Sequence, residues 1–462
     1  MSNEYYLFKK QGRNYLYNSE LSTIVELNDN IYDIICRYEK SNITKDEYKI
    51  INSFIECGLL GNINNISDDL SSFNKIAYLS FAPTYKCNLR CAYCFGEYGL
   101  KYKNSNRCFD VRSLEKMLNF FFLEAFPTRE KYRLDFVSGG EPLMGFDIIK
   151  ETIRYVENFK RTYNKNVSLW LCTNSVLINE DIIKFLSNHN VSIGISIDGR
   201  KEYNDSVRVD INGKGTYDRI CSKIQLIKKS TRVSRRFKNI WGLCTATNTN
   251  CDFVDILKHM HSLGFEQIQT RLVRWKEGYD IEKIIANYSS LAEFLLEEFK
   301  NKKFVYLEMI LNDNDQFGKV LKRVMLDIIL FRRCAAGQNK ITLCPDGSIY
   351  PCDSFVGIEN FRLGNYLEDN FNSEMYKHHN IDKIDKCSRC DIKYLCGGDC
   401  FYNSYIKTGN PNIPDENFCT LQRHIIEEAI FLRYRMQKID EDSYELLLKR
   451  LKRKADYAEL FG

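Results

Sequence analysis

From residue 76 to about residue 275 the chain alternates strand-like and helical stretches, and few architectures tolerate that order. The candidate strands are Ile76–Phe81, Leu134–Ser138, Ser168–Thr173, Val191–Ile197, Ile240–Thr247 and Gln267–Leu272. Between them Ser113–Ala125, Asp147–Phe159, Asp181–Asn188, Tyr217–Lys229 and Phe253–Leu263 carry apolar residues at helical spacing. Repeated β-then-α units predict an α/β fold with a parallel sheet and crossover helices. Six strands suit an open, partial (β/α)6 barrel better than the closed eightfold one. In such folds function gathers at the C-terminal ends of the strands.

The loop after the first of these strands reads Lys86-Cys87-Asn88-Leu89-Arg90-Cys91-Ala92-Tyr93-Cys94-Phe95. Its C-x3-C-x2-C spacing can aim Cys87, Cys91 and Cys94 at three corners of an iron–sulfur cube. Cuboidal clusters normally take four thiolates, so one metal corner stays open to a ligand that is not protein. A zinc knuckle with a distant fourth ligand is the competing reading. Ser138-Gly139-Gly140-Glu141-Pro142 follows the second strand. Paired glycines allow a ligand close to the backbone, and Glu141 can accept from an ammonium group. Thr173-Asn174 closes the third strand and Ser196-Ile197-Asp198-Gly199 the fourth.

Two predicted helices, Ile281–Phe299 and Gln316–Phe331, lead to a second cysteine series. Cys334 is followed after twelve residues by Gly347 and after four more by Cys352; then come Cys387-x2-Cys390-x5-Cys396-x3-Cys400, and finally Cys419. A zinc ribbon could use the four inner cysteines. Cys344 is a spare thiol, but Pro345-Asp346-Gly347 is a hairpin turn. At about 3.3 Å per strand residue, Cys344 and Cys352 should stand about 10 Å or more apart, awkward for one cube.

The three-cysteine loop, the Gly-Gly-Glu-Pro segment and the trailing series together closely resemble radical SAM enzymes with a C-terminal SPASM extension. The resemblance implies that the open iron chelates the amino and carboxylate groups of S-adenosylmethionine. It implies that Gly139, Gly140 and Glu141 hold the methionine amine, Ser196 the ribose and Arg208 the methionine carboxylate, with Tyr93 on the adenine side. It also implies two auxiliary 4Fe–4S clusters, three clusters in all. One would sit on Cys387, Cys390, Cys396 and Cys419, the other on Cys334, Cys352 and Cys400. Two auxiliary clusters want eight ligands and seven cysteines are in place, so the second cluster would keep an open iron that a substrate thiolate could fill. Asp353, directly after Cys352, matches an aspartate used as base by anaerobic sulfatase-maturating enzymes; a turn or strand-end cap is its plain alternative.

Residues 1–72 are expected to form a small α+β unit. Tyr5–Lys9 and Arg13–Tyr17 flank Gln11-Gly12, a hairpin signal, and Ile31–Tyr38 and Glu47–Cys57 have helical spacing. Such a unit resembles the recognition element of peptide-modifying enzymes, where a leader peptide adds as a strand; an N-terminal cap on the barrel is the other reading. The expected segments are therefore 1–72, a barrel at 73–280, a helical bridge at 281–333, the auxiliary-cluster segment at 334–425 and a helical tail at 426–462. Cys94-Phe95-Gly96-Glu97 and Cys352-Asp353-Ser354-Phe355 look closest to maturases that build thioether cross-links in ribosomally made, Cys-rich precursor peptides. Oxidation of Cys or Ser to formylglycine is the alternative, and a metal-binding scaffold the non-enzymatic one. An external one-electron donor such as flavodoxin or ferredoxin is implied.

Composition fits this picture. A net charge of +5 is too mild to argue for nucleic acid. The start lacks a signal peptide, and no apolar run of about 18 residues offers a membrane span. Eighteen cysteines without those features point to metal in a reducing cytoplasm. Cys36, Cys57, Cys108, Cys172, Cys221, Cys244 and Cys251 lack ligand-like grouping and read as buried thiols. The runs Arg232–Lys238 and Lys449–Lys454 read as solvated faces, His259 and His261 as structural, and His378 and His379 as an exposed linker. Asn212-Gly213-Lys214-Gly215 reads as a turn.

Overall fold

The computed structural model describes residues 5–18, 21, 23–60, 76–94, 108–137, 139–233, 240–273, 280–368, 370–372 and 380–461, with backbone only for 231–233 and 454–461. Ser138, Phe95 to Glu97, most of Arg232–Lys238, and His378 and His379 lie outside the described residues. The chain divides into two units. One joins Met1–Asp68, Gly278–Arg333 and His379–Arg453; the other joins Asp69–Glu277, Cys334–His378 and Lys454–Gly462. The cysteine-rich stretch is shared between the units, and Met1–Asp68 group with Gly278–Arg333 and His379–Arg453.

In the first unit β1 (Tyr5–Lys10), β2 (Arg13–Asn18) and β3 (Thr23–Leu27) form an antiparallel sheet in the order β1-β2-β3. Gln11 and Gly12 both take positive φ, 49° and 74°, as a two-residue hairpin loop demands. β3 was absent from the sequence expectation. Strand alternation sends Tyr5, Leu16 and Leu27 to one face, where they pack on Ile34, Ile35 and Ile51 of the helices Asp29–Tyr38 and Lys45–Glu56. Asn28 caps the first helix, and a Thr44/Glu47 capping box starts the second. On the opposite face Phe8 stacks on Tyr15, which meets Phe431 and Tyr434 of the helix Glu416–Ile439.

That helix is also pinned by a buried polar knot. Glu428 accepts from Lys10 (2.6 Å) and from Ser289, with His424 Nε2 3.2 Å away. Burial alone would push the Glu428 carboxyl up, but His424, Lys10 and Ser289 together bring it down from 4.5 to about 2. A depressed carboxyl stabilises the fold above its unfolded value and loses that contribution as the folded form is protonated. The contribution, about 3 kcal/mol, should therefore vanish as pH falls from 4.5 towards 2. Acid titration of the melting temperature should show Glu428→Gln flatter than wild type across that window.

The expected helix Gln316–Phe331 is shorter, Gly318–Met325, and is preceded by Val305–Ile310. Asp327 turns left-handed (φ 58°), and Arg433 fixes the break by donating to Asp327 Oδ1 at 2.7 Å.

In the second unit the elements are β4 (Ile76–Phe81), β5 (Leu89–Cys91), β6 (Lys131–Phe136), β7 (Asn166–Thr173), β8 (Ser192–Ser196), β9 (Arg208–Asp210), β10 (Ile240–Ala246), β11 (Gln267–Leu272), β12 (Lys340–Leu343), β13 (Ser348–Tyr350), β14 (Gly364–Asn365) and β15 (Asn370–Phe371). The main sheet runs β11-β10-β8-β7-β6-β4-β12-β13-β14-β15. Its six expected strands are all parallel, with crossover helices between them, and form the partial barrel. The sequence did not disclose the far edge: β12 joins β4 in parallel (Ile341↔Leu79), and the antiparallel β13, β14 and β15 follow. Leu79, Phe81, Leu134, Phe136, Leu171, Ile193 and Ile195 are wholly buried. Their strand neighbours Tyr78, Arg133, Asp135, Trp170, Cys172 and Ser196 point to the opposite, inner face.

The expected helix Ser113–Ala125 is α-helical only over Val111–Asn119 and continues as a π-helix, Phe120–Ala125. The wider turn lets three successive phenylalanines find separate partners. Phe120 meets Tyr366 and Phe371, Phe121 meets Phe126, and Phe122 meets Phe159. Gly213 turns with φ 74° between Asp210 and Lys214, as expected. Cys244 and Cys251 are buried, but Cys57 and Cys108 are exposed, against expectation. No helix among the described residues is long and apolar enough to cross a membrane.

Candidate active site

The three-thiol loop leaves the C-terminal end of β4 and is held on both sides. Leu89 N donates to Cys87 Sγ (3.4 Å) and Cys94 N to the Cys91 carbonyl (3.0 Å). β5 pairs antiparallel with β9, which sets Cys91 opposite Arg208, and Ala92 N donates to Val207 O at 2.8 Å. A two-strand ladder thus brings Arg208 to the cysteine loop. Burial pushes the Cys91 thiol up to about 11, with Arg208 opposing and Asp198, Cys94 and Cys87 adding. Burial likewise raises Cys87, where Leu89 N–H opposes and Glu141 and Cys94 add. A metal that takes these sulfurs as thiolates must release their protons.

Arg208 is buried and donates to the Tyr93 hydroxyl, which donates in turn to Asp198 Oδ2 at 2.5 Å. Arg208 Nη1 stands 3.7 Å from the same carboxylate. Asp198 is fixed further by Thr245 N at 2.9 Å. Arg208 Nε is buried and has no partner. An orphaned guanidinium N–H at the cysteine loop suits an anionic group such as an amino-acid carboxylate. Tyr93 therefore anchors Arg208, a role the sequence did not suggest. Asp198 belongs to the same cluster; its place beside Gly199 at a strand end was the available signal.

Glu141 is buried, and three donors reach it: Thr173 Oγ1 (2.5 Å), Asn174 N (2.8 Å) and Leu143 N (3.1 Å). It ties the ends of two strands together. Burial raises its carboxyl while these bonds oppose. A Cβ on Gly140 would lie 2.4 Å from Thr84 O and 2.5 Å from Lys86 O, and one on Gly139, at φ 106°, would lie 2.6 Å from the Tyr85 ring. These glycines admit the chain that leads into the cysteine loop. Asn174 Nδ2 adds a bond to Asn88 Oδ1 (2.8 Å). Ser196 Oγ is 4.0 Å from Cys172 Sγ on the inner face.

Asp353 is the first residue of a short 3-10 turn, and its carboxylate lies 3.5 Å from Lys340 Nζ. Lys340 sits 4.6 Å over the Tyr78 ring. Arg133 covers Tyr78 (5.3 Å) and Trp170 (5.5 Å) and pairs with Asp135 at 2.7 Å. A charged, aromatic strip therefore lines the inner face of the sheet. Gly337 N donates to Pro351 O (3.2 Å), which ties the loop after Cys334 to the residue before Cys352. Cys344 is buried beside the β12–β13 turn, and burial pushes its thiol up to about 12.

In the other unit, Cys387 and Cys390 share one turn (Cys390 N to Cys387 O, 3.0 Å), and Cys396 ends a short helix at left-handed Gly397. Cys419 lies in the first turn of Glu416–Ile439. Burial pushes Cys387 up to about 12, and Cys396, Cys419 and Cys390 add to the shift, so the four thiols are neighbours. Cys400 stands just before the next helix without a side-chain capping bond, and Asp399 accepts from Cys400 N (2.6 Å) and Asn403 (2.9 Å). Among the described residues no three His, Cys, Asp or Glu side chains converge on a single ion. A cube gives each thiolate its own iron, so neighbouring but separate thiols suit it as donors.

Residues 81–260 match the family model described as the Radical SAM superfamily. The chain therefore carries a radical SAM domain and is an enzyme; that family implies S-adenosylmethionine and a 4Fe–4S cluster as cofactors. It is 28% identical over 369 residues to the cysteine-type anaerobic sulfatase-maturating enzyme of Clostridium novyi (strain NT), covering 74% of this chain and 92% of that one. Its fold is similar to anSMEcpe solved with bound AdoMet and the Cp18Cys peptide (TM-score 0.63, 23% identity, 79% of this chain and 100% of that one). It is also similar to Streptococcus suis SuiB bound to the precursor peptide SuiA (TM-score 0.50, 15% identity, 90% and 98%). The sequence relatives favour the sulfatase-maturating alternative over thioether formation.

Proposed function

We propose that this enzyme oxidises a cysteine side chain of a polypeptide, in the manner of cysteine-type sulfatase-maturating enzymes. The observation that carries the reading is Asp353, whose carboxylate faces Lys340, itself seated over the inner-face ring of Tyr78. In this reading Cys87, Cys91 and Cys94 hold one cluster. Cys387, Cys390, Cys396 and Cys419 hold a second, and Cys334, Cys352 and Cys400 a third. Bound there, cluster and S-adenosylmethionine would supply one-electron bond cleavage and hydrogen-atom abstraction. Arg208 offers its free N–H to the methionine carboxylate while Tyr93 and Asp198 keep its plane fixed. Glu141 and Asn174 hold the loop rigid. Asp353 takes the substrate thiol proton, and Lys340 keeps the carboxylate turned towards it. Flavodoxin or ferredoxin would donate the electron.

A second reading, thioether formation in a precursor peptide, is favoured by the N-terminal sheet with its two helices, whose β3 edge could take a leader peptide as a further strand. The test is anaerobic reconstitution with S-adenosylmethionine, dithionite and a Cys-containing peptide. Cysteine oxidation should release sulfide and leave an aldehyde that a hydrazide captures. A product that has lost the S–H and a C–H hydrogen at each cross-link and retains its sulfur would favour the second reading. Absence of deoxyadenosine under strong reduction would end both.

A further inference from the structure

Arg423 lies four residues after Cys419 on the helix Glu416–Ile439. Its guanidinium grips Asp391 with both ends, Nη2 to Oδ1 at 2.6 Å and Nη1 to Oδ2 at 3.1 Å. The same Nη2 lies 3.7 Å from Cys390 Sγ. The guanidinium carbon sits 5.1 Å over the ring of Tyr6 in β1, and the Tyr6 hydroxyl bonds to Glu427 on the same helix. One planar cation therefore touches a cysteine of the four-thiol group on one side and the N-terminal sheet on the other. Asp391 fixes its plane, and Asp391 Oδ1 itself lies 3.7 Å from the same Cys390 sulfur, so the guanidinium is what offsets a carboxylate at that thiol.

Hydrogen bonds to cluster sulfurs are a lever on reduction potential. A donor at a thiolate, and a cation that neutralises the carboxylate beside it, favour the more negative, reduced cluster. Only a guanidinium combines a carboxylate fork, a sulfur contact and a stacked face; an ammonium has no face to stack. We propose that Arg423 is a positioning residue that raises the reduction potential of the cluster on Cys387, Cys390, Cys396 and Cys419, and that Tyr6 links that potential to the state of the N-terminal sheet. The inference rests on the cluster assignment under Proposed function. Side chains of Arg423 and Asp391 are each 37% exposed, so solvent and salt screen the effect and its size is moderate.

The experiment is an EPR-monitored redox titration of the reconstituted, full-length holoenzyme as wild type, Arg423→Met, Arg423→Lys and Tyr6→Leu, with iron counted in each. For one cluster, Arg423→Met should lower the reduced-to-oxidised ratio at fixed potential by about threefold or more. Arg423→Lys should recover part of that change. Tyr6→Leu should move the ratio the same way by a smaller, measurable step, and the cluster on Cys87, Cys91 and Cys94 should not move. Midpoints unchanged in Arg423→Met at full iron content overturn the inference, and so does a shift in Arg423→Met with none in Tyr6→Leu. If a Cys387→Ala/Cys396→Ala double variant retains all the wild-type iron, the cluster assignment fails instead. That outcome is distinguishable because it needs no Arg423 variant.

Discussion

Replacing Cys87 by alanine is expected to reduce 5′-deoxyadenosine formation to background and to remove about four irons per chain. The loop offers three thiols and no nearby substitute: Glu141 is already bound by three donors, and Cys344 is buried by the β12–β13 turn. Loss of a partner one shell out from a metal costs about 10–100-fold, so loss of a ligand itself should exceed 100-fold. Chromatography of the nucleoside product under dithionite, with iron analysis, reads both outcomes. Cys344→Ala is the control. Deoxyadenosine formation that persists at wild-type level in Cys87→Ala would end the assignment of this loop, and a loss in Cys344→Ala would restore that thiol as a ligand.

The second large effect is on Arg208. Arg208→Met leaves Asp198, only 1% exposed, without its cation. Removing one partner of a buried pair costs about 3–5 kcal/mol; the bonds from Tyr93 and Thr245 that remain place this case at the lower end. The melting temperature should fall by several degrees, and binding of S-adenosylmethionine should weaken because the free Nε is gone. The pH dependence has a defined sign. Burial raises the Asp198 carboxyl, and Arg208 is the first group opposing that shift. Without Arg208 the folded carboxyl rises further above its unfolded value, so the folded state binds more protons and gains stability as pH falls. The gap between variant and wild type should therefore narrow on acidification. A gap that stays constant with pH would mean Asp198 is not the strained partner.

The parts of this enzyme fixed by chemistry were readable in the sequence. Three thiols on one loop after a strand, and a glutamate after paired glycines, are set by spacing alone. The crossover helices were readable too, since each carries its own apolar stripe. β6 was placed late, at Leu134 where the strand begins at Lys131, because Arg133 and Asp135 on the polar inner face mask the alternation. β3, β9 and β12 are short, and their pairing is decided by partners distant in sequence. The same applies to Lys340 with Asp353, Arg208 with Cys91 and Arg423 with Cys390. No local pattern marks such pairs.

The seam between β4 and β12 has a consequence for how the protein is made. Residues 76–81 must wait for residues 340–343 before that flank of the sheet is covered. At translation speeds of about 5–20 residues per second, the nascent barrel spends many seconds with a bare strand flank. Unpaired flanks recruit other chains, so the newborn protein is most vulnerable before its last third emerges from the ribosome. A gene fragment that stops after β11 would leave that vulnerability permanent.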